Sequence, residues 1–416
     1  MKTAILHYSL PPVVGGVENV IHAHASLLVK AGFQVTLIAG VGEKSALPAG
    51  VEFIHIPEMD SRHQRVTQIN QNLEAGKLPK EFMILSTSLE RSLADVLRSM
   101  DNIIIHNVFT KHFNIPLTAA LFRLLDQRKI RNCIAWCHDL TWTSPHSRSK
   151  VHPGYPWDFL RAYREDVTYV TVSKHRQAEL AGMFNCTPER IHVVYDGVDP
   201  ADLHSLTEEG RALIERLGLN WADLILLMPV RITQAKNIEF GLHLTASLKS
   251  RGIRVNLVVS GPPDPHDPGD LEYYHSLLQL RQQLGVEQEA RFVYESGPLP
   301  GVGYKISLPV VRELYRTCDV LFMPSHREGF GMPILEAGLI GMPIFCTSIP
   351  AAKEIGDQDV FQFSEDTPVI SVADSLINWA QASPTQRLRK HIRQNFTWQA
   401  IFQHDILPLL TGGKET

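Results

Sequence analysis

EGFGMPILEAGLIGMPI, residues 328–344, sets two glutamates, Glu328 and Glu336, eight positions apart around Gly-Phe-Gly and a proline. The residues just before it, DVLFMPS (319–325), form an apolar run closed by turn residues, the trace that a buried parallel strand leaves in sequence. Pro333 suits the first turn of a helix, where its missing N–H costs nothing, and ILEAGLI continues that turn. GMPIFCTS (341–348) then reads as the next strand. The stretch is therefore strand, loop, helix, strand. Glu328 lies on the loop at the carboxyl end of a strand and Glu336 early in the helix that follows. Open α/β sheets bind their ligands at such places.

Working outward, the same alternation of short apolar runs and longer amphipathic ones occurs twice. In the first half, strands are expected at TAILHY (3–8), QVTLIAG (34–40), NIIIHN (102–107), CIAWCH (133–138) and VTYVTVS (167–173). Between the first two, VENVIHAHASLLVKA (17–31) places Val17, Val20, Ile21, His24 and Leu28 on one helical face. A second series begins at LILLMPV (224–230) and continues through VNLVVSG (255–261), ARFVYE (290–295), DVLFMPS and PIFCTS. The turn-rich DGVDPADLHSLTEEG (196–210) reads as the linker. The expected organisation is α/β, two doubly wound Rossmann-like domains over 1–198 and 199–395. A C-terminal helix over 396–416, with Trp398, Ile401, Ile406 and Leu410 on one face, is expected to pack back on the first domain.

Composition narrows the classes. The 416 residues are 44% hydrophobic and 20% charged with a formal net charge of −4, an ordinary globular balance that gives no reason to expect a nucleic-acid partner. MKTAILHYSL reads as a first strand rather than a signal peptide, and no apolar run is long enough to span a membrane, so the cytoplasm is expected. Five scattered cysteines suit a reducing compartment. Cys133, Cys137 and His138 have the wrong spacing for a zinc knuckle, and no second Cys/His pair follows. The acids of DQD (357–359) and of the proline-rich GPPDPHDPGD (261–270) read as solvated surface groups, so no metal is expected.

Several clusters carry possible chemistry. Gly15 and Gly16 fall between the first strand and first helix, where backbone can approach a ligand and free N–H groups attract phosphate. Their spacing is not that of a dinucleotide fingerprint. PVRITQAKNIEF (229–240) supplies Arg231 and Lys236 on the loop after the first strand of the second half, with Asn237 placed to cap the next helix, a credible diphosphate site. His138 ends a strand of the first half, whereas His22, His24 and His106 read as structural. Segment 143–166, rich in basic and aromatic residues, offers Arg148 and Lys150 to an anionic acceptor or lipid headgroup. LFRLLDQRKIRN (121–132) is basic and amphipathic, which admits peripheral membrane contact.

Together, Gly15-Gly16, HD (138–139), TVSK (171–174), YDGVD (195–199), Arg231 with Lys236, and 328–344 resemble the retaining glycosyltransferases of family 4, glycosyl transferases group 1. That resemblance implies the GT-B fold, with its two domains facing a central cleft. It implies that Glu328, with the backbone N–H groups of Gly329, Phe330 and Gly331, contacts the donor sugar, and that Glu336 holds the nucleotide ribose. Arg231 and Lys236 would neutralise the diphosphate, Gly15 and Gly16 would let the first domain close over it, and His138 would bind a sugar hydroxyl. The expected activity is hexose transfer from a UDP-glucose- or GDP-mannose-type donor to a hydroxyl of a small-molecule, sugar or lipid-linked acceptor, with no cofactor or obligatory metal. Two departures stand out: Pro229-Val230 where the family often has Gly before the Arg, and Asp196 where it usually has Asn. A nucleotide-sugar epimerase and a nucleotide-sugar-binding regulator on the same fold remain as alternatives.

Overall fold

The computed structural model describes residues 1–264 and 268–412. Its chain forms two units, one of Met1–Gly197 together with the segment that starts at Trp398, the other of Val198–Thr397. The stretch expected to be a linker instead holds a helical turn, Pro200–Leu203, and the start of a helix, Glu208–Leu217, capped by the Thr207 hydroxyl.

The first unit is a seven-stranded parallel sheet of β1 (Lys2–Leu6), β2 (Gln34–Ala39), β3 (Glu52–His55), β4 (Asn102–His106), β5 (Cys133–Cys137), β6 (Val167–Thr171) and β7 (Ile191–Val193). The order is β3-β2-β1-β4-β5-β6-β7. Successive residues of the inner strands point to opposite faces, and both faces are buried. Ala4, Leu6, Ile103, Ile105 and Ala135 enter one cluster with the helices Lys80–Arg98 and Ile115–Asp126. Ile5, Leu37, Ile104, Ile134 and Trp136 enter the other with Ile21, Ala25 and Leu28 of the helix Gly16–Lys30. That second cluster also takes Ile401, Phe402, Ile406 and Leu410 from the C-terminal segment.

The second unit is a six-stranded parallel sheet of β8 (Leu224–Met228), β9 (Val255–Val259), β10 (Ala290–Phe292), β11 (Val320–Met323), β12 (Ile344–Thr347) and β13 (Phe361–Phe363), ordered β10-β9-β8-β11-β12-β13. Leu226, Met228, Leu257 and Phe322 line one face, and Ile225, Leu227, Val258 and Leu321 the other. In each unit the strand order reverses once, beside β1 and beside β8. A crevice opens where neighbouring crossovers leave to opposite faces. In the first unit that is the carboxyl edge of β1 and β4, and in the second that of β8 and β11.

One expectation fails on burial. Leu121, Leu124 and Leu125, the apolar side of 121–132, are fully within the core, so that face is unavailable to a membrane. The helix ends at Asp126, and Arg123 is held by Glu90 at 2.6 Å. Among the described residues no helix is long and apolar enough to cross a membrane. Of GPPDPHDPGD, residues 265–267 lie outside those described.

Candidate active site

The crevice of the second unit joins the loops after β8 and β11. The backbone N–H of His326 donates to the Ala235 carbonyl at 3.0 Å, which ties one loop to the other. Across this tie the Lys236 ammonium meets Glu328 Oε2 at 2.7 Å. The other carboxylate oxygen accepts from the hydroxyl of fully buried Ser325, also at 2.7 Å. The Ser325 carbonyl in turn accepts from Thr347 Oγ1, so β12 braces the loop. The Glu328 side chain is 8% exposed and Lys236 20%.

Asn237 does not cap its helix through its side chain. It sits in the left-handed region at φ 49°, and the helix Ile238–Ser250 starts directly after it. Asparagine tolerates that conformation better than most residues. Gly331 is also left-handed, at φ 90°, and leads into the helix Met332–Leu339. Gly329 has open space where a Cβ would stand, and Phe330 is exposed. Arg231 is exposed and pairs with Asp264 at 2.8 Å rather than joining Lys236 and Glu328. Glu336 lines a groove of about 790 Å³ with Thr207, Leu308, Arg312, Tyr315 and Leu339. Burial and this carboxylate together push the Tyr315 phenol upward.

In the first unit, the turn after β1 is built around a carboxylate that sequence reasoning passed over. Glu18, in the first turn of the helix Gly16–Lys30, is buried and accepts from the Ser9 hydroxyl. A Cβ on Gly15 would stand 2.2 Å from its Oε2, whereas Gly16 has nothing within 4 Å. The two glycines therefore serve different ends: the first makes room for Glu18, the second leaves the helix start open. His7 Nε2 lies 3.9 Å from Glu18, and its Nδ1–H donates to the His106 carbonyl at 3.1 Å.

His138 follows β5, with its backbone N–H donating to the Asn107 side chain at 2.9 Å. Its Nε2 shares a hydrogen bond with His106 Nδ1 at 3.0 Å, and the two rings stack. His106, read from sequence as merely structural, is thus in direct contact with His138. Burial pushes His138 down to about 3, with His7 adding to the effect, so the ring is neutral at physiological pH. His24 lies among Trp136, Trp398 and His106 and is likewise pushed to about 3 by burial and then by His138. Arg148 rests over the Trp142 ring and donates to the Val151 carbonyl, and Lys150 pairs with Glu74 at 3.4 Å. Among the described residues no group of three or more His, Cys, Asp or Glu side chains is arranged to hold a metal ion.

Residues 211–396 match the family model described as Glycosyl transferases group 1, and residues 14–202 match that described as Glycosyltransferase Family 4. An uncharacterised glycosyltransferase of Methanocaldococcus jannaschii is 25% identical over 257 residues, 60% of this chain and 61% of its own. A D-inositol 3-phosphate glycosyltransferase of Saccharomonospora viridis is 28% identical over 235 residues, 53% of this chain and 50% of its own. The chain thus spans about half to three-fifths of the lengths of these relatives. Among solved structures, Anabaena HepE in complex with UDP is 17% identical, with 99% of this chain and 100% of that one covered at a TM-score of 0.35.

Proposed function

The chain belongs to the glycosyltransferases that those two family models describe, and we propose that it moves a hexose from a nucleotide-diphosphate sugar to a hydroxyl of its acceptor, with retention of anomeric configuration. The observation that carries this reading is the Ser325–Glu328–Lys236 constellation at the strand-order reversal of the second unit. One Glu328 oxygen is fixed by an ammonium and the other by a hydroxyl, which leaves lone pairs on both for sugar hydroxyls. Held in this way, the carboxylate orients the donor sugar and is no free nucleophile.

Breaking a glycosyl–phosphate bond leaves an oxocarbenium-like sugar and a diphosphate. The largest contribution then comes from fixed positive charge at the leaving group. Lys236, beside Glu328, supplies part of that charge. Arg231 joins it by exchanging Asp264 for phosphate oxygens, a bidentate geometry that guanidinium offers. These two cations supply the charge, so the scheme requires no metal. The departing phosphate accepts the proton of the acceptor hydroxyl on the same face that it leaves, which retains configuration. The N–H groups of Gly329, Phe330 and Gly331 add donors to the sugar, and Glu336 accepts from the ribose hydroxyls. In the first unit Gly16 keeps the helix start accessible to the donor, Gly15 leaves Glu18 its place beside that start, and neutral His138 offers a hydrogen bond to a sugar hydroxyl. UDP-glucose and GDP-mannose types of donor both fit.

Thermal stability measured against UDP, GDP and their glucose and mannose conjugates tests the reading, because a ligand that binds only the native state raises the melting temperature. A shift with one nucleotide that is lost in Glu336→Ala supports it. Equal melting temperatures with every nucleotide would remove the donor site. A glycosyl-Glu328 adduct seen by mass spectrometry would replace front-face substitution with double displacement.

A further inference from the structure

Lys111 has a setting unlike that of any other lysine discussed above. It stands on the loop after β4 and is 8% exposed. Among the described residues its ammonium has neither a carboxylate within ion-pairing distance nor a hydrogen-bond acceptor, and it stands over the Phe113 ring, 4.8 Å from Nζ to centroid. Most of the side chain is enclosed while its Nζ reaches solvent, so the ammonium, which has no partner among the described residues, is open to a ligand.

The loop that carries it is fixed in place. The Lys111 N–H donates to the Asn107 carbonyl at 2.9 Å, and the Thr110 hydroxyl donates to the Asp139 carbonyl at 2.8 Å. The Thr141 N–H donates back to the Thr110 carbonyl at 2.9 Å, and the His112 N–H donates to the Thr141 hydroxyl at 3.1 Å. Residues 110–112 and 139–141 are thereby bolted together, and His138 immediately precedes the second of these segments.

The charges around Lys111 do not neutralise it. Burial depresses its basicity, Asp139 acts against that, and Arg176 and Lys150 add to it. Asp139 meets the Arg176 guanidinium at 3.6 Å, and Glu179 holds the same guanidinium at 2.7 Å. Lys150 lies against Glu74. Two of these cations, Arg176 and Lys150, are thus paired, and Lys111 is left without a counterion.

We propose that Lys111, supported by Arg176, is an oxyanion subsite that receives the phosphate monoester of the acceptor, carried by a sugar or by a lipid headgroup. This rests on the reading of the chain as a transferase and names the class of acceptor. A lysine serves phosphate as a point charge, and of these cations Lys111 is the one without a carboxylate at ion-pairing distance. The subsite moves the anionic contact from Arg148, which is engaged by Trp142 and Val151, to a side chain that has no counterion of its own.

The test is a melting-temperature titration with inorganic phosphate at constant ionic strength, on wild type, Lys111→Met, Lys111→Arg and Lys236→Met. Saturable stabilisation is expected in wild type and Lys236→Met, at least tenfold weaker in Lys111→Met and within threefold of wild type in Lys111→Arg. Lys111→Met without ligand should melt no lower than wild type, because it removes an ammonium that makes no ion pair or hydrogen bond and keeps the apolar length of the side chain. Glucose 6-phosphate and a short-chain phosphatidate in the same assay distinguish the sources, the tighter one naming the carrier. The proposal falls if Lys111→Met responds as wild type does, if the response disappears only in Lys236→Met, or if both esters bind more than tenfold weaker than phosphate. UDP and GDP titrations of Lys111→Met keep the two readings apart: a nucleotide response there leaves the donor site standing whatever phosphate does.

Discussion

Lys236 and Glu328, 92 residues apart in sequence, close a 2.7 Å ion pair across the loops that leave β8 and β11. Their meeting follows from the strand order, which makes β8 and β11 neighbours. Lys236→Met should cost about 1–3 kcal/mol, because it leaves a nearly buried carboxylate with only Ser325. Glu328→Gln should cost less, since the amide still accepts from Ser325. In the double variant the two losses should sum to less than their separate values, a coupling that urea denaturation of the four proteins measures. Additive losses would mean that the pair contributes no net stability. If Lys236 stabilises the leaving group, its loss should also lower kcat by roughly 10²–10³, the scale of a lost transition-state donor.

Gly15 and Gly16 should separate under the same substitution. Gly15→Ala drives a Cβ into Glu18 Oε2, which Ser9 holds in place, and overpacking of that kind costs about 1–3 kcal/mol. Adding Glu18→Ala should recover part of this loss. Gly16→Ala meets open space at a helix start and should be neutral or stabilising by up to about 1 kcal/mol. Its effect should appear instead as a raised KM for the donor. Equal melting temperatures for the two alanine variants would show that the Glu18 contact does not decide which glycine is needed.

The interior of each sheet is legible in the sequence because β4, β5, β8, β9 and β11 are buried at every residue, and apolar residues dominate each of them. The strands that escape notice, β3, β7 and β13, are the outermost of their sheets. They alternate with solvent or carry charge, as in EFIH (52–55) and IHV (191–193), and so resemble loops. The same limit applies to the sites. Glu328 is found because its spacing from Glu336 around glycine and proline is distinctive, and Lys236 because it follows an apolar strand together with Arg231. Glu18 and Lys111 are not, because what marks them is burial beside residues supplied by neighbouring strands. His106 escapes for a related reason, since nothing in NIIIHN says that β5 will set His138 against it.

The C-terminal segment should be indispensable to the first unit. Ile406 is 1% exposed in the cluster that holds Ile5, Ile21 and Trp136. Ile406→Ala should cost about 2–5 kcal/mol, as buried large-to-small changes do. Removing the chain from Trp398 onward should uncover the Trp136 face and yield aggregated protein, which size-exclusion chromatography would reveal. A soluble, cooperatively melting truncation would show that the segment merely rests on its neighbours.

The buried histidines should make the protein acid-sensitive. His24 and His138 are each pushed down to about 3, burial being the larger cause, and His106 is well below its usual value for the same reason. An unfolded chain takes up these protons near pH 6.5, while the native state resists until about pH 3. Depressed native pKa values therefore contribute stability that is complete above about pH 6.5 and drains away as pH falls toward 3, by at most about 1.4 kcal/mol per pH unit for each histidine. Urea midpoints at pH 7.5 and 4.5 should differ accordingly. His24 is the cleanest probe, because neither ring nitrogen has a hydrogen-bond partner. His24→Phe should reduce the difference between the two midpoints and raise stability at pH 4.5. An unchanged difference would assign the acid sensitivity to other groups. The same depression keeps His138 neutral through the physiological range, so the pH profile of kcat/KM should show no limb from its ionisation between pH 5 and 8.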